Sequence, residues 1–280
     1  MKSSTPTWAQ NIRLQAIETL AYWTGRVNTR DLTERFGISR LIAQRDITRY
    51  LSLAPGNLAY NRSEKAYLAT SIIKPRITNG EIGEYLSLDA QTGNIHALDT
   101  ITQIAPPAFK LDPTIIRPVL QAIRTRQGVT LRYRSLTQPI GSTRTLYPHH
   151  LVNSVFRWHV RAYCAEREGF RDFNLARIAN TLDLTGSRPA SADPDNDRHW
   201  HDTVHLQLAP NPNLTEEEQA LLAHEFGMRK SHLSVPSRGA LVPYTLHAYQ
   251  VDPSIPDSDN PQRNRLVLVN KTDLTPYLWS

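Results

Sequence analysis

The 280-residue sequence predicts a multidomain α+β protein: an N-terminal winged helix-turn-helix, a small five-stranded β-barrel of the SH3 or Sm kind, and an α+β extension. Three observations carry that prediction. Residues 28–68 hold two short amphipathic helical segments joined at Gly37 and followed by a basic hairpin. From Val129 to about Leu184 the apolar spacing changes from helical to alternating. Beyond a polar stretch at 187–197, strand-like and helix-like runs recur.

Residues 8–23 carry Ile12, Ala16, Ile17 and Leu20 at helical spacing, and Gly25 ends that helix. The next begins at Asn28, whose side chain can cap free N–H groups, with Asp31 at the third helical position where negative charge is favoured. Leu32 and Phe36, four apart, give it an apolar stripe, Gly37 allows a sharp turn, and Ser39 caps the following helix. Steps of about 100° along that helix turn Ala43, Ile47, Tyr50 and Leu51 towards a core shared with Ile12, Ala16 and Leu20.

Its opposite side carries Leu41, Gln44, Arg45, Thr48, Arg49 and Ser52. These are side chains that major-groove readout uses: arginine for guanine, glutamine for adenine, an apolar group for the thymine methyl. The hairpin at 58–68 turns through polar residues 61–64, with Arg62 and Lys65 at its tip. The expected interface is therefore Ser39, Arg40, Leu41, Gln44, Arg45, Thr48 and Arg49 in the groove, with Thr29, Arg30, Arg62 and Lys65 on phosphates. Helix pairs with surface arginines also occur in proteins that never touch DNA. The order helix, turn, helix, basic wing is what favours a duplex.

After the wing, Lys74-Pro75 breaks the pattern, residues 81–88 suit a short helix, and Ala105-Pro106-Pro107-Ala108 reads as a boundary. The predicted segments are 1–76, a connector at 77–110, then 111–190 and 191–280. A helix over 113–126 is expected to stop at Gly128. Val129, Leu131 and Tyr133 then alternate with Thr130, Arg132 and Arg134. Phe156, Trp158, Val160, Ala162 and Cys164 alternate with Arg157, His159, Arg161 and Tyr163, which predicts half-buried strands. Further strands are expected near 144–152 and 171–177. In the last segment, 204–208, 241–250 and 265–269 read as strands, and 215–226 as a helix with a Thr215/Glu218 capping box.

The net charge of +6 is unevenly spread. Residues 1–76 hold 12 Lys+Arg against 5 Asp+Glu, and residues 111–190 again 12 against 5, so a second basic segment exists beside the helix pair. Arg157, His159 and Arg161, with Arg171 and Arg177 from a nearby strand, suit an anionic ligand, because guanidinium groups grip phosphates bidentately. Equally, they suit a solvated sheet face paired with Glu166, Glu168 and Asp172.

No apolar run approaches the roughly 20 residues of a membrane helix, and the first residues lack the apolar core of a signal peptide, so a cytoplasmic location is expected. With Cys164 alone there is no internal disulfide or cysteine metal cluster. No phosphate-binding or dinucleotide glycine loop and no nucleophile elbow occurs. His199, His201 and His205 read as boundary-loop histidines, and Glu216, Glu217 and Glu218 as a favourable helix first turn. Neither an enzyme nor a cofactor or metal is expected.

The run Arg157-Trp-His-Val-Arg-Ala-Tyr-Cys164 followed by Phe170-Arg-Asp-Phe-Asn-Leu-Ala-Arg-Ile178 resembles the signature of the WYL domain, as do Leu131-Arg-Tyr-Arg-Ser135 and Leu146-Tyr-Pro-His-His-Leu151. With a winged helix before it and an α+β extension after it, the whole chain resembles WYL-domain transcriptional regulators, closest to the phage-defence repressors of the BrxR and CapW group. The naming triplet here reads Trp158-His159-Val160, keeping only its tryptophan. The resemblance implies a homodimeric repressor on an inverted-repeat operator in double-stranded DNA. It also implies a C-terminal extension that helps dimerise and a WYL domain that senses a nucleic-acid or nucleotide ligand. The pocket positions it implies are Tyr133, Ser135, His150, Arg157, Trp158, His159, Arg171, Phe173 and Arg177. A nucleic-acid-binding adaptor of a defence complex, without promoter control, is the alternative.

Overall fold

The structure is a computed structural model describing residues 6–92, 111–257 and 259–278. It divides into two compact units, Met1–Ile104 and Ala105–Ser280. The expected proline-rich boundary at 105–108 lies outside the described residues.

In the first unit, helix α1 (Trp8–Thr24) is capped by Thr7 and ended by Gly25 in the left-handed conformation. A two-residue strand β1 (Arg26–Val27) follows, then α2 (Thr29–Phe36) and α3 (Arg40–Leu53). Asn28 and Asp31 form a reciprocal capping box on α2, Gly37 at φ 62° ends it, and the Ser39 side chain accepts from Ile42 N at the start of α3. These caps satisfy helix-end N–H groups at the points where the chain must turn. Strands β2 (Leu58–Asn61) and β3 (Ala66–Ala69) form the hairpin, and β1 adds to it in the order β1-β3-β2. The core joins Leu14, Ile17 and Leu20 of α1 to Leu32, Ala43, Ile47 and Tyr50.

Residues 77–88, assigned by sequence to a connector, complete this core instead. Helix α4 (Ile82–Thr92) follows the turn, and Ile77, Tyr85 and Leu88 pack against the α1–α3 cluster. The Glu18 carboxylate holds the backbone of 76–78 against α1, which turns the chain back at Lys74-Pro75 rather than away.

The second unit begins with α5 (Pro113–Thr125), capped by Asp112. It ends at Arg126 in the left-handed conformation, not at Gly128. Gly128 lies inside strand β4 (Gln127–Tyr133), where a Cβ would stand 2.1 Å from Thr185 Oγ1 and 2.7 Å from the Tyr147 ring. Close packing, not a turn, requires that glycine.

Strands β5 (Ser142–Asn153), β6 (Trp158–Cys164), β7 (Gly169–Asn174) and β8 (Ile178–Ser187) complete an antiparallel sheet ordered β7-β6-β5-β4-β8. Five strands occur as predicted, but no described residues pair β7 with β8, so the sheet does not close into the expected barrel. Val119 and Ala122 of α5 cover one face, over Val129, Leu131, Leu146, Val160, Ala162 and Cys164.

The remaining elements are α6 (Arg198–His201), β9 (Thr203–Pro210), α7 (Glu216–Glu225), β10 (Leu233–Arg238), α8 (Val242–Ala248), β11 (Leu266–Leu268) and α9 (Lys271–Leu274). The second sheet runs β10-β9-β11, and Thr215 with Glu218 forms the predicted capping box on α7. Residues 241–250, expected as a strand, form a 3₁₀ turn and α8. Pro243 cannot donate to a ladder but fits a helix's first turn, and Val242 and Leu246, four apart, are both buried. Strand β10 was not foreseen; its Pro236 is tolerated because β10 is an edge. No described helix is long and apolar enough to cross a membrane.

Candidate DNA interface and effector cleft

Helix α3 separates its two sides as the spacing predicts. Ala43, Ile47 and Tyr50 are fully buried, while Arg40, Leu41, Gln44, Arg45 and Thr48 are exposed, Leu41 by 68%. Arg49 departs from the expectation: it is half-buried, because its position borders the packed side.

Gln44 Nε2 donates to the Tyr67 hydroxyl at 3.0 Å, which ties the helix to the wing, and Thr48 Oγ1 donates to Gln44 O. Ser39 spends its hydroxyl on the cap. Thr29 is half-buried at the first position of α2, and Arg30 pairs with Glu34 at 2.5 Å. Arg62 and Lys65 are exposed in the hairpin turn, which the Asn61 side chain closes by accepting from Ser63 N and Glu64 N. Tyr60, 56% exposed, is directly opposite Tyr67, with ring centroids 5.1 Å apart. Sequence reasoning passed over both tyrosines; the alternation within the hairpin was the available signal.

Two buried carboxylates fix α3 against α1. Asp46 accepts from Gln10 Nε2 at 2.9 Å and pairs with Arg13 Nε at 2.6 Å. Glu18, fully buried, accepts from the Tyr50 hydroxyl, the backbone N–H groups of Arg76, Ile77 and Thr78, and the Thr78 hydroxyl.

On the sheet of the second unit, period two does place His159 and Arg161 away from the α5 core, yet only Arg157, just ahead of β6, is exposed there. His159 and Arg161 are 5% and 6% exposed, because residues 197–200 and α8 pack over them. Arg161 forms a bidentate pair with Asp197, Nε to Oδ2 at 2.7 Å and Nη2 to Oδ1 at 2.9 Å, and reaches Asp172 at 3.4 Å. His149 Nε2 lies 3.2 Å from Asp197 Oδ2, and the Tyr244 hydroxyl donates to Asp172. Burial alone would raise the Asp197 pKa, but hydrogen bonds and charge from Arg161 and His149 hold it far below the ordinary aspartate range.

Beside this cluster lies a cleft of about 570 Å³ lined by Tyr133, Arg157, His159 and Arg177 from the predicted set. The prediction missed Tyr244 and His247, which α8 contributes. The other predicted positions lie outside its lining. Phe173 is buried in the α5-side core, edge-on to Tyr133. Trp158, favoured by alternation as a core residue, is 42% exposed, since it opens β6 at the end of the sheet opposite Asn153. Ser135 is held in the β4–β5 loop by Thr137 and Gln138, His150 packs on Trp200 at 4.5 Å, and Arg171 is exposed on edge strand β7.

Among the described residues, neither Arg157 nor Arg177 forms an ion pair, in contrast to Arg161. Burial first, then the charges of Arg157 and Arg177, lower the His159 pKa from 6.5 to about 4, so its imidazole is neutral near pH 7. An unfolded histidine binds a proton that the folded one refuses between those values. Stability is therefore full above about pH 6.5 and falls by about 3 kcal/mol as the pH drops to about 4. Urea titrations across that range should show this slope, and His159→Gln should reduce it to the part that His150, whose pKa burial also lowers, contributes.

The predicted boundary histidines do not converge. His201 faces Pro194 O, His205 faces Ser234, and His199 packs on Tyr277. Among the described residues no three His, Cys, Asp or Glu side chains group as metal ligands.

Three family models match this chain: the BrxR transcriptional regulator winged helix-turn-helix domain over residues 9–91, the WYL domain over 114–181, and the BrxR transcriptional regulator C-terminal dimerization domain over 203–274. The chain is similar to proteins named DNA-binding transcriptional repressor CapW. The Pseudomonas aeruginosa protein is 33% identical, covering 95% of this chain and 91% of its own length. That of Stenotrophomonas maltophilia is 30% identical (99% and 94%), and that of Escherichia coli strain KTE188 31% (97% and 92%). Among solved structures, proteasome accessory factor B/C of Arthrobacter aurescens is 16% identical with a TM-score of 0.29, over 96% of this chain and 47% of that one, too distant to argue from. Matched along nearly its whole length in sequence and carrying all three domains in order, the chain belongs to the BrxR/CapW family of WYL-domain transcriptional regulators.

Proposed function

We propose that this chain is a sequence-specific DNA-binding transcriptional repressor of a phage-defence operon, which binds an inverted-repeat operator as a homodimer and senses an anionic nucleic-acid or nucleotide ligand through its WYL domain. The observation that carries it is the outer face of α3, where Leu41, Gln44, Arg45 and Thr48 are exposed together beside a basic hairpin turn. The N-terminal unit reads DNA, residues 191–280 dimerise, and the WYL sheet between them senses the ligand. The CapW relatives, named as DNA-binding repressors, support this role, and the match to a dimerization domain supports the two-fold arrangement. An inverted repeat follows from two-fold symmetry, with half-sites a whole number of helical turns apart.

Binding of the purified protein to the DNA upstream of its own gene, against scrambled duplex at about 150 mM salt, tests the reading. Strong preference is expected; equal, steeply salt-dependent binding to both would favour the adaptor instead. Arg45→Ala should cost about 1–3 kcal/mol of operator affinity and relax the base preference. Lys65→Ala should weaken all duplexes alike and reduce the salt slope by about one. Unchanged operator affinity in both variants would refute this docking.

A further inference from the structure

The cleft beside β6 has walls from two regions of the chain. From the WYL sheet come Arg157 and Arg177, cations without acidic partners among the described residues. From α8, inside the segment matched to the dimerization domain, come Tyr244 and His247. Aromatic contacts already span the two sides: Tyr244 lies on His159 with centroids 4.8 Å apart, and His247 meets Phe156 edge-on at 5.0 Å. The Tyr244 hydroxyl also donates to Asp172, the carboxylate that Arg161 holds from the sheet.

Two unpaired guanidinium groups match a phosphate's geometry and charge, and flat rings next to them offer stacking surface to a base. A volume of about 570 Å³ lies in the range of small-ligand sites. We propose that this is a composite nucleoside-phosphate site, in which Arg157 and Arg177 hold the phosphate and α8, through His247 and Tyr244, receives the base. The inference rests on the anionic-ligand reading of the WYL domain and adds to it the route of regulation. The ligand reports its presence directly to the dimerisation segment, because Tyr244 and His247 of α8 line the cleft with the sheet residues. Such a ligand moves α8 only by binding two seatings of it with different affinity.

The full-length protein is titrated calorimetrically with AMP, with inorganic pyrophosphate, and with a 5′-phosphorylated thymidine pentanucleotide, in the native form and as Arg157→Ala and His247→Ala. His247 is exposed, so its truncation leaves the fold intact. Arg157→Ala should weaken every probe that binds. His247→Ala should weaken AMP by about fivefold or more, as loss of a stacking partner does, while pyrophosphate binding stays unchanged. Hydrogen exchange should show AMP protecting α8 amides as well as those of residues 157–177. A preference for AMP or for the pentanucleotide identifies a free nucleotide or a strand end as the source, and either supports the site. If the probes bind through Arg157 but His247→Ala changes nothing and α8 gains no protection, the composite site is wrong and the anion reading survives. If none of the three probes binds the native protein, both are wrong.

Discussion

Replacing Asp197 with alanine is expected to destabilise the C-terminal unit by about 3–5 kcal/mol, among the largest effects of any single substitution in the chain. The Arg161 guanidinium is buried, and Asp197 supplies both of its short hydrogen bonds; without them it keeps, among the described residues, Asp172 at 3.4 Å. A buried charge stripped of its main partner costs far more than the pair contributed over an apolar replacement. The same carboxylate faces His149 Nε2 and accepts from Trp200 N at the start of α6, so its removal also loosens the segment that covers the sheet. Urea unfolding should show the transition of residues 105–280 moving to lower denaturant while that of the winged helix stays in place. A midpoint unmoved by Asp197→Ala would show that the cluster does not hold the two layers together.

The cluster also sets an acid limit. Because the folded Asp197 carboxyl titrates well below an unfolded aspartate, its stabilisation is complete above about pH 4 and is lost progressively as the pH falls below that. Asp172 acts with the opposite sign: burial pushes its carboxyl up despite Arg161, so its charging in the folded state is a cost that acidification relieves. The larger displacement is that of Asp197, so acid should destabilise the native cluster, and Asp197→Ala should flatten the dependence.

What the sequence made legible was whatever repeats locally. The apolar spacing in α3 separated Ala43 and Ile47 from Gln44 and Arg45 because a helix's period is fixed by its own backbone, and the caps at Asn28, Ser39 and Thr215 act within three residues. Alternation in β6 likewise put Val160, Ala162 and Cys164 on the α5 side and His159 and Arg161 on the other. It could not say that both faces are covered, because the residues over His159 and Arg161 lie some 36 to 85 positions away, at Asp197 and Tyr244. That is why a sheet face read as either a ligand site or a solvated surface proved to be partly a buried ion cluster and partly a cleft. Trp158 was misplaced because period two says nothing about where a strand outruns its core. Residues 241–250 were misread because Tyr244, Thr245 and their neighbours have strand propensity, which the Val242–Leu246 spacing and Pro243 overrode. The two-residue strand β1 left no periodic trace at all.

The buried Glu18 left no trace either, and its replacement should be as damaging to DNA binding as to stability. Its Oε1 accepts from Ile77 N, Thr78 N and the Thr78 hydroxyl, and its Oε2 from Arg76 N and the Tyr50 hydroxyl. No cation pairs with it among these contacts; five donors from two separate stretches of chain, Tyr50 and residues 76–78, solvate it in place of water. Glu18→Gln keeps the size and one oxygen, but the amide nitrogen then faces N–H and O–H donors, leaving at least two of them without an acceptor. Each orphaned buried donor costs about 1–3 kcal/mol, so the loss should be about 2–5 kcal/mol. Tyr50 belongs to α3, and its hydroxyl also accepts from Asn57 Nδ2, ahead of the hairpin. The damage therefore spreads from the 76–78 turn to the recognition helix and the base of the wing together. A thermal melt should find the N-terminal unit unfolding earlier, and operator affinity should fall for all sequences alike, unlike the base-selective loss expected of Arg45→Ala. A Glu18→Gln protein with native melting and native operator binding would mean that this carboxylate does not hold the reading head in place.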